Sequence, residues 1–475
     1  MVGRQKEQRQ LRNAIERKEA QFIAVYGRRR VGKTYLVREF FGNEFCFYHT
    51  GVANVDTEEQ LLNFRDSLVK YGYERCPAIK SWREAFLALE KVIENGKPGK
   101  KIVFLDELPW MDTRKSKFVS ALEHFWNGWA SARKDVVLIV CGSATSWMIS
   151  KILKDHGGLH NRVTDRIRLE PFSLGECELY CRDLSLNFSR EDICLGYMIF
   201  GGVPFYWSLM ERDKSIRQNV DALVFADGGK LRSEYGELFS SLFKESAMHS
   251  RMIEAIGSVK SGVTREVILK AMKVRDGGKV TKCLEDLENS GFIRRYVSLG
   301  KKKKDAIFQL VDNFVLFHLE FLREDANHDE HFWTNMLNTQ RQASWCGRAF
   351  ERVCLHHVWQ LKHALQIGGV CTSVRSWFHV ADEEVPEGAQ IDLLIDRADG
   401  VIDVCEMKYT KREFVPTEKN DDEMRRRISV FEDVSKTRKT VNAVLVTPYG
   451  ISSKSKYAGR YTNVITFEDL FRLEQ

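Results

Sequence analysis

The chain has 475 residues, of which 43% are hydrophobic and 29% charged, and its formal net charge is +7. This length predicts two to four domains, and the composition is that of ordinary folded protein, not of a disordered or fibrous chain. No apolar run reaches the length of a membrane span, and the eleven cysteines form no C-x-x-C pair. The sequence therefore predicts a cytoplasmic protein with reduced thiols and no membrane partner, and its basic charge permits nucleic acid without requiring it.

A phosphate-binding pattern lies near the start of the sequence. The apolar run 22–26 predicts a buried strand, and helix-like spacing of apolar residues resumes after Thr34. The loop between them matches G-x-x-x-x-G-K-[ST] at Gly27, Arg28, Arg29, Arg30, Val31, Gly32, Lys33 and Thr34. In such a loop the backbone amides surround phosphate oxygens, Lys33 reaches the β- and γ-phosphates, and the Thr34 hydroxyl binds Mg²⁺. The sequence therefore predicts that the chain binds a nucleoside triphosphate with Mg²⁺.

A second strand signal ends in two carboxylates. The apolar run 102–105 predicts a buried parallel strand, and Asp106 and Glu107 follow at its carboxyl end, where ligands bind in open α/β sheets. Asp106 is suited to hold Mg²⁺ opposite Thr34, and Glu107 is suited to polarise the attacking water. We therefore predict Asp106 as a metal ligand and nucleotide-binding residue, and Glu107 as the catalytic base.

Two further strand signals complete the predicted sheet. The run 136–141 precedes Ser143, which is placed to sense the γ-phosphate, and the run 167–169 is the expected last strand. An arginine near this edge, Arg162 or Arg166, would neutralise charge on the transferred phosphoryl group. Each is equally compatible with a surface ion pair.

These residues together resemble a known family. The motifs are Gly3-Arg4 with Glu7, the loop 27–34, Asp106-Glu107, Gly142-Ser143, Arg162 before Leu169-Glu170-Pro171-Phe172, and Gly201-Gly202-Val203-Pro204. They are similar to the archaeal-type ATPases, signal-transduction (STAND) ATPases of the AAA+ branch. Gln5 departs from the glutamate that this family often has there. The resemblance implies ATP as the nucleotide, an α/β P-loop ATPase domain over residues 1–172, and a helical lid over 173–243 with Pro204 near the adenine. From the residues alone, Pro204 is equally typical of the first position of a helix.

The middle of the chain changes pattern. Residues 244–325 predict three helices followed by a two-stranded ribbon, which is the plan of a winged helix, with Thr264 as the N-cap of the second helix. The run Lys301–Lys304 at the ribbon tip, with Arg294 and Arg295, is suited to contact phosphates. The third helix carries Glu285, Asp286 and Glu288. A helix that reads bases would be more basic, so base-specific reading is not expected.

A second group of residues with the chemistry of a metal site lies in residues 335–475. Glu351 falls on a predicted long helix running to about residue 364, Asp392 on a predicted strand, and Glu406 and Lys408 on the next strand, two residues apart and so on one side of it. Carboxylates on neighbouring elements with a nearby lysine suit a metal-dependent phosphodiesterase. We predict Glu351, Asp392 and Glu406 as Mg²⁺ ligands and Lys408 as a catalytic residue.

These residues resemble the PD-(D/E)XK nucleases, an α/β restriction-endonuclease-like fold, in the variant fused to archaeal-type ATPases. The proline of the eponymous motif is absent, and Gln390-Ile391-Asp392 stands in its place. Beyond it, Arg425–Arg427 lie on a predicted helix that could face a DNA backbone, although acidic residues precede them.

The sequence therefore predicts an ATP-binding and hydrolysing switch that controls a Mg²⁺-dependent nuclease-like domain acting on nucleic acid, with DNA as the expected partner. Two alternatives stay open. In one, an ATP-regulated module binds DNA or a protein through a nuclease-like fold that does not cut. In the other, the trigger is a protein and the chain forms homo-oligomers on activation.

Overall fold

The computed structural model describes residues 1–153, 159, 161–243, 245–259, 261–297, 305–323 and 329–474. Contacts between Cα atoms divide the chain into two compact units, Met1–Pro171 and Phe172–Glu474. The predicted boundaries at residues 172, 243 and 325 remain predictions.

The first unit contains one parallel sheet. Its strands are β1 (Gln21–Tyr26), β2 (Phe47–Thr50), β3 (Lys101–Asp106), β4 (Val136–Gly142) and β5 (Asp165–Arg168). They are arranged in the order β2-β3-β4-β1-β5, and every neighbouring pair is parallel. The predicted parallel α/β domain is confirmed, and this sheet is consistent with the P-loop NTPase fold.

Both faces of this sheet are covered by apolar side chains. Along β1, Phe22 and Ala24 enter one hydrophobic cluster, whereas Ile23 and Val25 enter another. Alternate side chains of a strand point to opposite faces, so both faces of the central strand are buried. This explains why its sequence reads as a continuous apolar run.

Helices connect these strands. They are α1 (Gln5–Glu16), α2 (Lys33–Phe40), α3 (Thr57–Lys70), α4 (Trp82–Asn95), α5 (Leu108–Met111), α6 (Phe118–Gly128) and α7 (Thr145–Trp147), with a 3₁₀ turn at Ala130–Ala132 and a π-helical turn at Met148–Leu153. The N-termini of α3 and α4 are fixed by side chains of Asp56 and Ser81, which accept hydrogen bonds from Glu59 N and Glu84 N. Such caps satisfy amide groups that have no partner inside the helix.

The strand order decides where the predicted nucleotide residues lie. Because β3, β4 and β1 are adjacent and parallel, their carboxyl ends meet at one edge of the sheet. The loop after β1, the carboxylates after β3 and Ser143 after β4 are therefore neighbours in space, although more than a hundred residues of sequence separate the first from the last.

The second unit begins with helices. These are α8 (Leu174–Asp183), α9 (Arg190–Phe200), α10 (Pro204–Ser208), α11 (Ile216–Val220) and α12 (Glu234–Leu242), with a π-helical turn at Asp221–Phe225. Ser173 and Ser189 form capping boxes at the starts of α8 and α9. Pro204 occupies the first turn of α10. Since it lies in the second unit, its predicted place near the adenine remains a prediction.

Three helices and a small antiparallel sheet follow. They are α13 (Ser246–Gly257), β6 (Val263–Thr264), α14 (Arg265–Met272), α15 (Gly278–Asn289), β7 (Ile293–Tyr296) and β8 (Ile307–Leu310), and the strand order is β6-β8-β7. The predicted N-cap is confirmed, because the Thr264 side chain accepts a hydrogen bond from Val267 N. The lysines at 301–304 lie outside the described residues.

The remainder of the second unit combines helices with a mixed sheet. The elements are α16 (Asn313–Phe321), α17 (Phe332–Asn335), α18 (Gln340–His356), α19 (Val358–Ala364), β9 (Thr372–His379), β10 (Ala389–Arg397), β11 (Val401–Met407), α20 (Glu418–Ser435), β12 (Thr440–Val446), a 3₁₀ turn at Ala458–Arg460, β13 (Asn463–Ile465) and α21 (Phe467–Leu470). The sheet order is β13-β12-β11-β10-β9. The pairs β9–β10 and β10–β11 are antiparallel, and the pairs β11–β12 and β12–β13 are parallel.

The long helix predicted around Glu351 is interrupted at His357. Its buried imidazole accepts a hydrogen bond from Leu174 N at 2.8 Å and donates one to Val353 O at 2.7 Å. The sequence did not reveal this break, since the partner amide belongs to α8, far away in the chain. The prediction of one continuous helix to residue 364 was wrong.

The described residues also bear on two predictions from composition. All eleven cysteines are free thiols, and ten of them are buried or half-buried. Among the described helices, none is both long and apolar enough to cross a membrane.

Candidate functional site

The backbone of the nucleotide loop requires glycine at both fixed positions. Gly27 has φ +150°, and a Cβ placed on it would lie 2.3 Å from the carbonyl oxygen of Leu169. Gly32 has φ +90° at the N-cap of α2. L-residues with side chains are strained in this region of φ, and the first position also lacks space for a methyl group. The pattern that identified the loop is thus a requirement of its conformation.

The two side chains after Gly32 point to separate partners. Lys33 is buried, and its Nζ donates a hydrogen bond to the carbonyl oxygen of Arg28 at 2.8 Å. The Thr34 hydroxyl donates to Oδ2 of Asp106 at 2.7 Å. The ammonium group is therefore held inside the loop, and the hydroxyl faces the carboxylate at the end of β3, as predicted.

The other loop residues differ in exposure. Arg28 and Val31 are buried, whereas Arg29 and Arg30 are half-buried, and Arg30 has φ +69°. Their predicted contribution to nucleotide binding is through backbone amides, which depends on the loop conformation and not on these side chains.

Hard oxygen donors are the ligands that Mg²⁺ prefers, and P-loop sites hold this ion with few protein ligands because water and phosphate supply the rest. Thr34 and Asp106 offer such oxygens 2.7 Å apart. The donor set at this edge of the sheet fits the ion in kind, and its assignment to Thr34 and Asp106 remains a prediction.

Glu107 has an unusual backbone and a specific partner. Its φ is +49°, in the left-handed region, which costs free energy for a residue with a side chain. Its Oε2 accepts hydrogen bonds from the Ser143 hydroxyl at 2.9 Å and from Ser143 N at 3.3 Å, and its own amide donates to Asp106 Oδ1 at 2.9 Å. The structure thus brings the predicted base and the predicted γ-phosphate sensor into direct contact, a pairing the sequence did not reveal.

The two arginines predicted at this edge of the sheet are exposed. Arg162 is exposed in the turn before β5. Arg166 is exposed on β5, and its Nη2 lies 3.5 Å from the carbonyl oxygen of Leu153. Among the described residues, neither arginine is hydrogen-bonded to the Thr34–Asp106 pair or to the Glu107–Ser143 pair. The role predicted for Arg162 remains a prediction.

One of the carboxylates predicted as metal ligands in the second unit is paired with two cationic side chains. Glu406, on β11, accepts from Lys408 Nζ at Oε1 (2.7 Å) and from Arg427 Nη1 at Oε2 (2.6 Å). Lys408 lies just beyond the strand end, and the 2.7 Å ion pair places both side chains on one side, as predicted from their spacing. Both oxygens of Glu406 are therefore neutralised by opposite charges.

Arg427 belongs to α20 and also donates to Glu423, one helical turn away. Its neighbours are likewise engaged, Arg425 with Asp421 and Arg426 with the carbonyl oxygen of Gly388. The sequence indicated that the helix bearing these three arginines could face a DNA backbone, and this remains a prediction. The Arg427 guanidinium itself is directed at Glu406, a strand residue 21 positions earlier.

Glu351 and Asp392 lie within electrostatic reach of this pair. Burial, followed by the charge of Asp392, raises the pKa of Glu351 to about 7, with Glu406 adding to the rise and Arg352 and Lys408 opposing it. Asp392 Oδ1 accepts a hydrogen bond from Gln390 Nε2 at 2.6 Å. The charges of Asp392, Glu406 and Lys408 thus act on Glu351, together with that of Arg352, which the sequence did not single out.

The fit of this cluster to a metal ion is incomplete. Its carboxylate oxygens are of the right chemical kind for Mg²⁺. However, in the part of the chain that the structure describes, no three His, Cys, Asp or Glu side chains are arranged to hold a metal ion. The assignment of Glu351, Asp392 and Glu406 as ligands remains a prediction, and it requires Glu406 to exchange its pairs with Lys408 and Arg427.

Comparisons with known proteins bear mainly on the first unit. Residues 1–208 match the model of a family described as an ATPase domain predominantly from Archaea. The chain carries an archaeal-type ATPase domain. The match extends past the sheet to α10, and so includes the strand-edge residues and Pro204.

Individual relatives are distant. An uncharacterised protein of Methanocaldococcus jannaschii is 23% identical over 406 residues, which are 83% of this chain and 83% of that protein. A Walker-type ATPase of Pyrococcus abyssi is 18% identical, covering 67% of this chain and 96% of that chain with a TM-score of 0.48. A STAND protein of Pyrococcus horikoshii with a tetratricopeptide-repeat sensor is 18% identical, covering 77% of this chain and 50% of that chain with a TM-score of 0.32.

Proposed function

We propose that this chain is an ATP-hydrolysing switch. The observation that carries the proposal is the pairing of Thr34 with Asp106 and of Glu107 with Ser143 at one edge of the parallel sheet. In P-loop enzymes catalysis consists of positioning and charge stabilisation around the γ-phosphate, and these four side chains have the chemistry for it. Bound Mg²⁺ would be held by Thr34 and Asp106 and would offset phosphate charge.

The roles of the protein groups follow from this arrangement. The loop amides and Lys33 bind the phosphates, since Lys33 needs only to leave the carbonyl oxygen of Arg28. Glu107 orients water and accepts its proton as the water oxygen attacks the γ-phosphorus, and the bond to the ADP oxygen breaks. Glu107 first has to release Ser143, which then becomes available to donate to the γ-phosphate.

For the second unit we propose that residues 244–325 form a winged helix. Its support is the chain order α13, β6, α14, α15, β7 and β8 with an antiparallel sheet, which is the order that this motif has. Helices over residues 173–243 would act as the lid on the nucleotide. These elements would move when the nucleotide state changes and would transmit that change. A ligand can bias only an element that has two arrangements, so the proposal requires two positions of these elements.

We further propose that residues 335–475 form a PD-(D/E)XK-like nuclease module acting on DNA. Its support is the electrostatic influence of Asp392, Glu406 and Lys408 on the buried carboxyl of Glu351. Held by these carboxylates, Mg²⁺ would supply charge stabilisation for phosphodiester hydrolysis. Lys408 orients the attacking water and stabilises negative charge on the phosphate.

The second candidate is an ATP-regulated module that binds DNA or a protein without cutting it. The observation that favours it is the pairing of both Glu406 oxygens with cations. With Glu406 neutralised in this way, the cluster does not present a vacant set of metal ligands.

One experiment separates the two. The full-length protein is incubated with plasmid and single-stranded DNA under a Mg²⁺ and Mn²⁺ titration, with and without ATP, beside Glu406→Ala and Asp392→Ala. Metal-dependent cutting by the wild type that both variants lose, with their ATPase rates intact, supports the nuclease. DNA binding without cutting under every condition, with ATPase activity intact, favours the second candidate. Absence of ATP hydrolysis contradicts the switch itself.

A further inference from the structure

An arginine of the small antiparallel sheet contacts the mixed sheet. Arg294, on β7, was grouped by the sequence with residues suited to contact phosphates, and it is half-buried within the second unit. Its Nε donates to Oε1 of Gln309 on β8 at 2.7 Å, and its Nη2 donates to the hydroxyl of Ser376 on β9 at 2.5 Å. The guanidinium carbon also lies 4.9 Å from the ring centroid of Tyr296. Three contacts therefore fix the orientation of this side chain.

Ser376 also makes a hydrogen bond to Asp392. The Ser376 hydroxyl donates to the backbone carbonyl oxygen of Asp392 at 2.5 Å. A serine hydroxyl has one proton and two lone pairs, so it can accept from Arg294 and donate to Asp392 at the same time. The three residues form a directed chain of hydrogen bonds that ends on the backbone of a predicted metal ligand.

Asp392 lies where the strand pairing is irregular. Ile391 is paired with Trp377, but the next paired residue, Leu394, is opposite Arg375. Two residues of β10, Asp392 and Leu393, are thus opposite the single residue Ser376. Such a bulge interrupts the ladder and changes the direction of a side chain, and bulges of this kind recur next to active sites. The Ser376 hydroxyl supplies a hydrogen bond at the point where the ladder is interrupted.

The arginine keeps its charge under ordinary conditions. Burial, followed by the charge of Arg352, lowers the pKa of Arg294 to about 10, and Asp392 opposes that change. At neutral pH the guanidinium is therefore protonated, and its hydrogen bond to Ser376 is charge-assisted and strong.

We propose that Arg294 is a positioning residue for the carboxylate cluster, acting through Ser376 to hold the bulge that directs Asp392. Groups that orient metal ligands in this way set ligand geometry without touching the metal. The geometry of the cluster then depends on the position of β7, so movement of the three-stranded sheet alters Asp392. This inference rests on the proposed nuclease function of the same cluster.

The test uses full-length protein and Mn²⁺ binding measured by calorimetry, with DNA cleavage rates and ATPase rates beside it. Ser376→Ala removes the hydroxyl without changing charge, and we expect it to weaken Mn²⁺ binding by roughly tenfold to a hundredfold, the range for groups that orient metal ligands. The kcat of cleavage falls, and the KM for DNA and the ATPase rate stay unchanged. Arg294→Ala gives the same loss, and the double variant loses no more than either single one, because both substitutions break one chain.

Two controls separate this role from a merely structural one. Arg323→Ala removes an exposed arginine that follows α16 and is paired with Glu254 at 3.1 Å, and it should bind Mn²⁺ like the wild type. Ser376→Thr keeps a hydroxyl at the same position and should restore binding that Ser376→Ala loses. Loss in both Ser376 variants contradicts the hydroxyl as the cause.

The outcomes distinguish this inference from the proposed function beneath it. If Asp392→Ala abolishes Mn²⁺ binding but Ser376→Ala and Arg294→Ala bind as well as or more tightly than the wild type, the positioning role is overturned and the metal site stands. If the wild type itself binds no Mn²⁺, or if Asp392→Ala binds like it, the nuclease proposal fails and the positioning role fails with it.

Discussion

The two carboxylate sites differ in what holds their acids. In the ATPase domain, Asp106 and Glu107 accept hydrogen bonds from the neutral hydroxyls of Thr34 and Ser143. In the second unit, Glu406 is paired with the cations Lys408 and Arg427. A neutral hydroxyl can turn away from a carboxylate at a small cost, whereas an ion pair has to be broken before a metal ion can take its place.

This difference has a consequence for regulation. In the nucleotide site Asp106 and Glu107 are bonded to the hydroxyls of Thr34 and Ser143, so no ion pair between these acids and these partners has to break before a metal ion binds. The cluster of the second unit is neutralised within itself, so under the proposed function it needs a rearrangement before it can act. A switch that supplies that rearrangement is what an ATPase domain in the same chain can provide.

The largest expected effect tests the first site. Glu107→Gln keeps the hydrogen-bonding shape but removes the base, so we expect kcat for ATP hydrolysis to fall by roughly a hundredfold to ten-thousandfold, the contribution of general-base catalysis. ATP affinity measured by a fluorescent analogue should be unchanged. As a control, Glu123→Gln changes a carboxylate of α6 outside the site and should hydrolyse ATP like the wild type. An unaltered rate in Glu107→Gln removes Glu107 from the mechanism.

The next effect concerns ATP binding. Lys33→Ala should weaken ATP binding by roughly a hundredfold, because a hydrogen bond to a charged group contributes up to about 3 kcal/mol. Equilibrium binding to the full-length protein measures it. Arg38→Ala, on the exposed side of the same helix and bonded to Asn43, serves as the matched control. Retained affinity in Lys33→Ala refutes the assignment of the loop.

A smaller effect tests whether the ion pairs of the second site limit metal binding. Arg427→Gln frees Oε2 of Glu406, and we expect Mn²⁺ affinity to rise by roughly fivefold, in line with the ~1 kcal/mol of a partly exposed ion pair. Arg425→Gln, which loses only its pair with Asp421, is the control. Weaker or unchanged Mn²⁺ binding in Arg427→Gln contradicts competition between the arginine and the metal ion.

A separate prediction concerns stability in acid. Burial lowers the pKa of His357 to about 4, below its ordinary value of 6.5, so the unfolded chain binds the proton that the folded chain excludes. The free energy of unfolding should therefore fall as the pH drops from 6.5 towards 4, by up to about 1.4 kcal/mol per pH unit for this one proton.

Chemical denaturation of wild type and His357→Gln at pH 7 and pH 5 measures this contribution. The variant should show a smaller difference between the two pH values, while His363→Gln, an exposed histidine of α19, should match the wild type. Equal pH dependence in all three proteins excludes His357 as a source. His49, whose pKa burial also lowers to about 4, leads us to expect a similar acid sensitivity in the first unit.

The sequence predicted the first unit better than the second. The strands β1, β3 and β4 are continuous apolar runs, and the loop 27–34 is a single contiguous pattern, so local residues determine both. The helix break at His357, the bulge at Asp392 and the half-buried position of Arg294 were not predicted. Each depends on partners from other elements, and the bond from Arg294 to Ser376 joins residues 82 positions apart.

The sequence by itself determined the phosphate-binding loop, the residue types of both carboxylate sets and the positions of the acids on predicted strands. Only the tertiary structure decided which group each acid contacts: a hydroxyl at Glu107, two cations at Glu406, and a serine bonded to the backbone of Asp392. The physical reason is that backbone propensity and motif spacing act over a few residues. Ion pairs and hydrogen bonds between side chains depend instead on how separate elements pack.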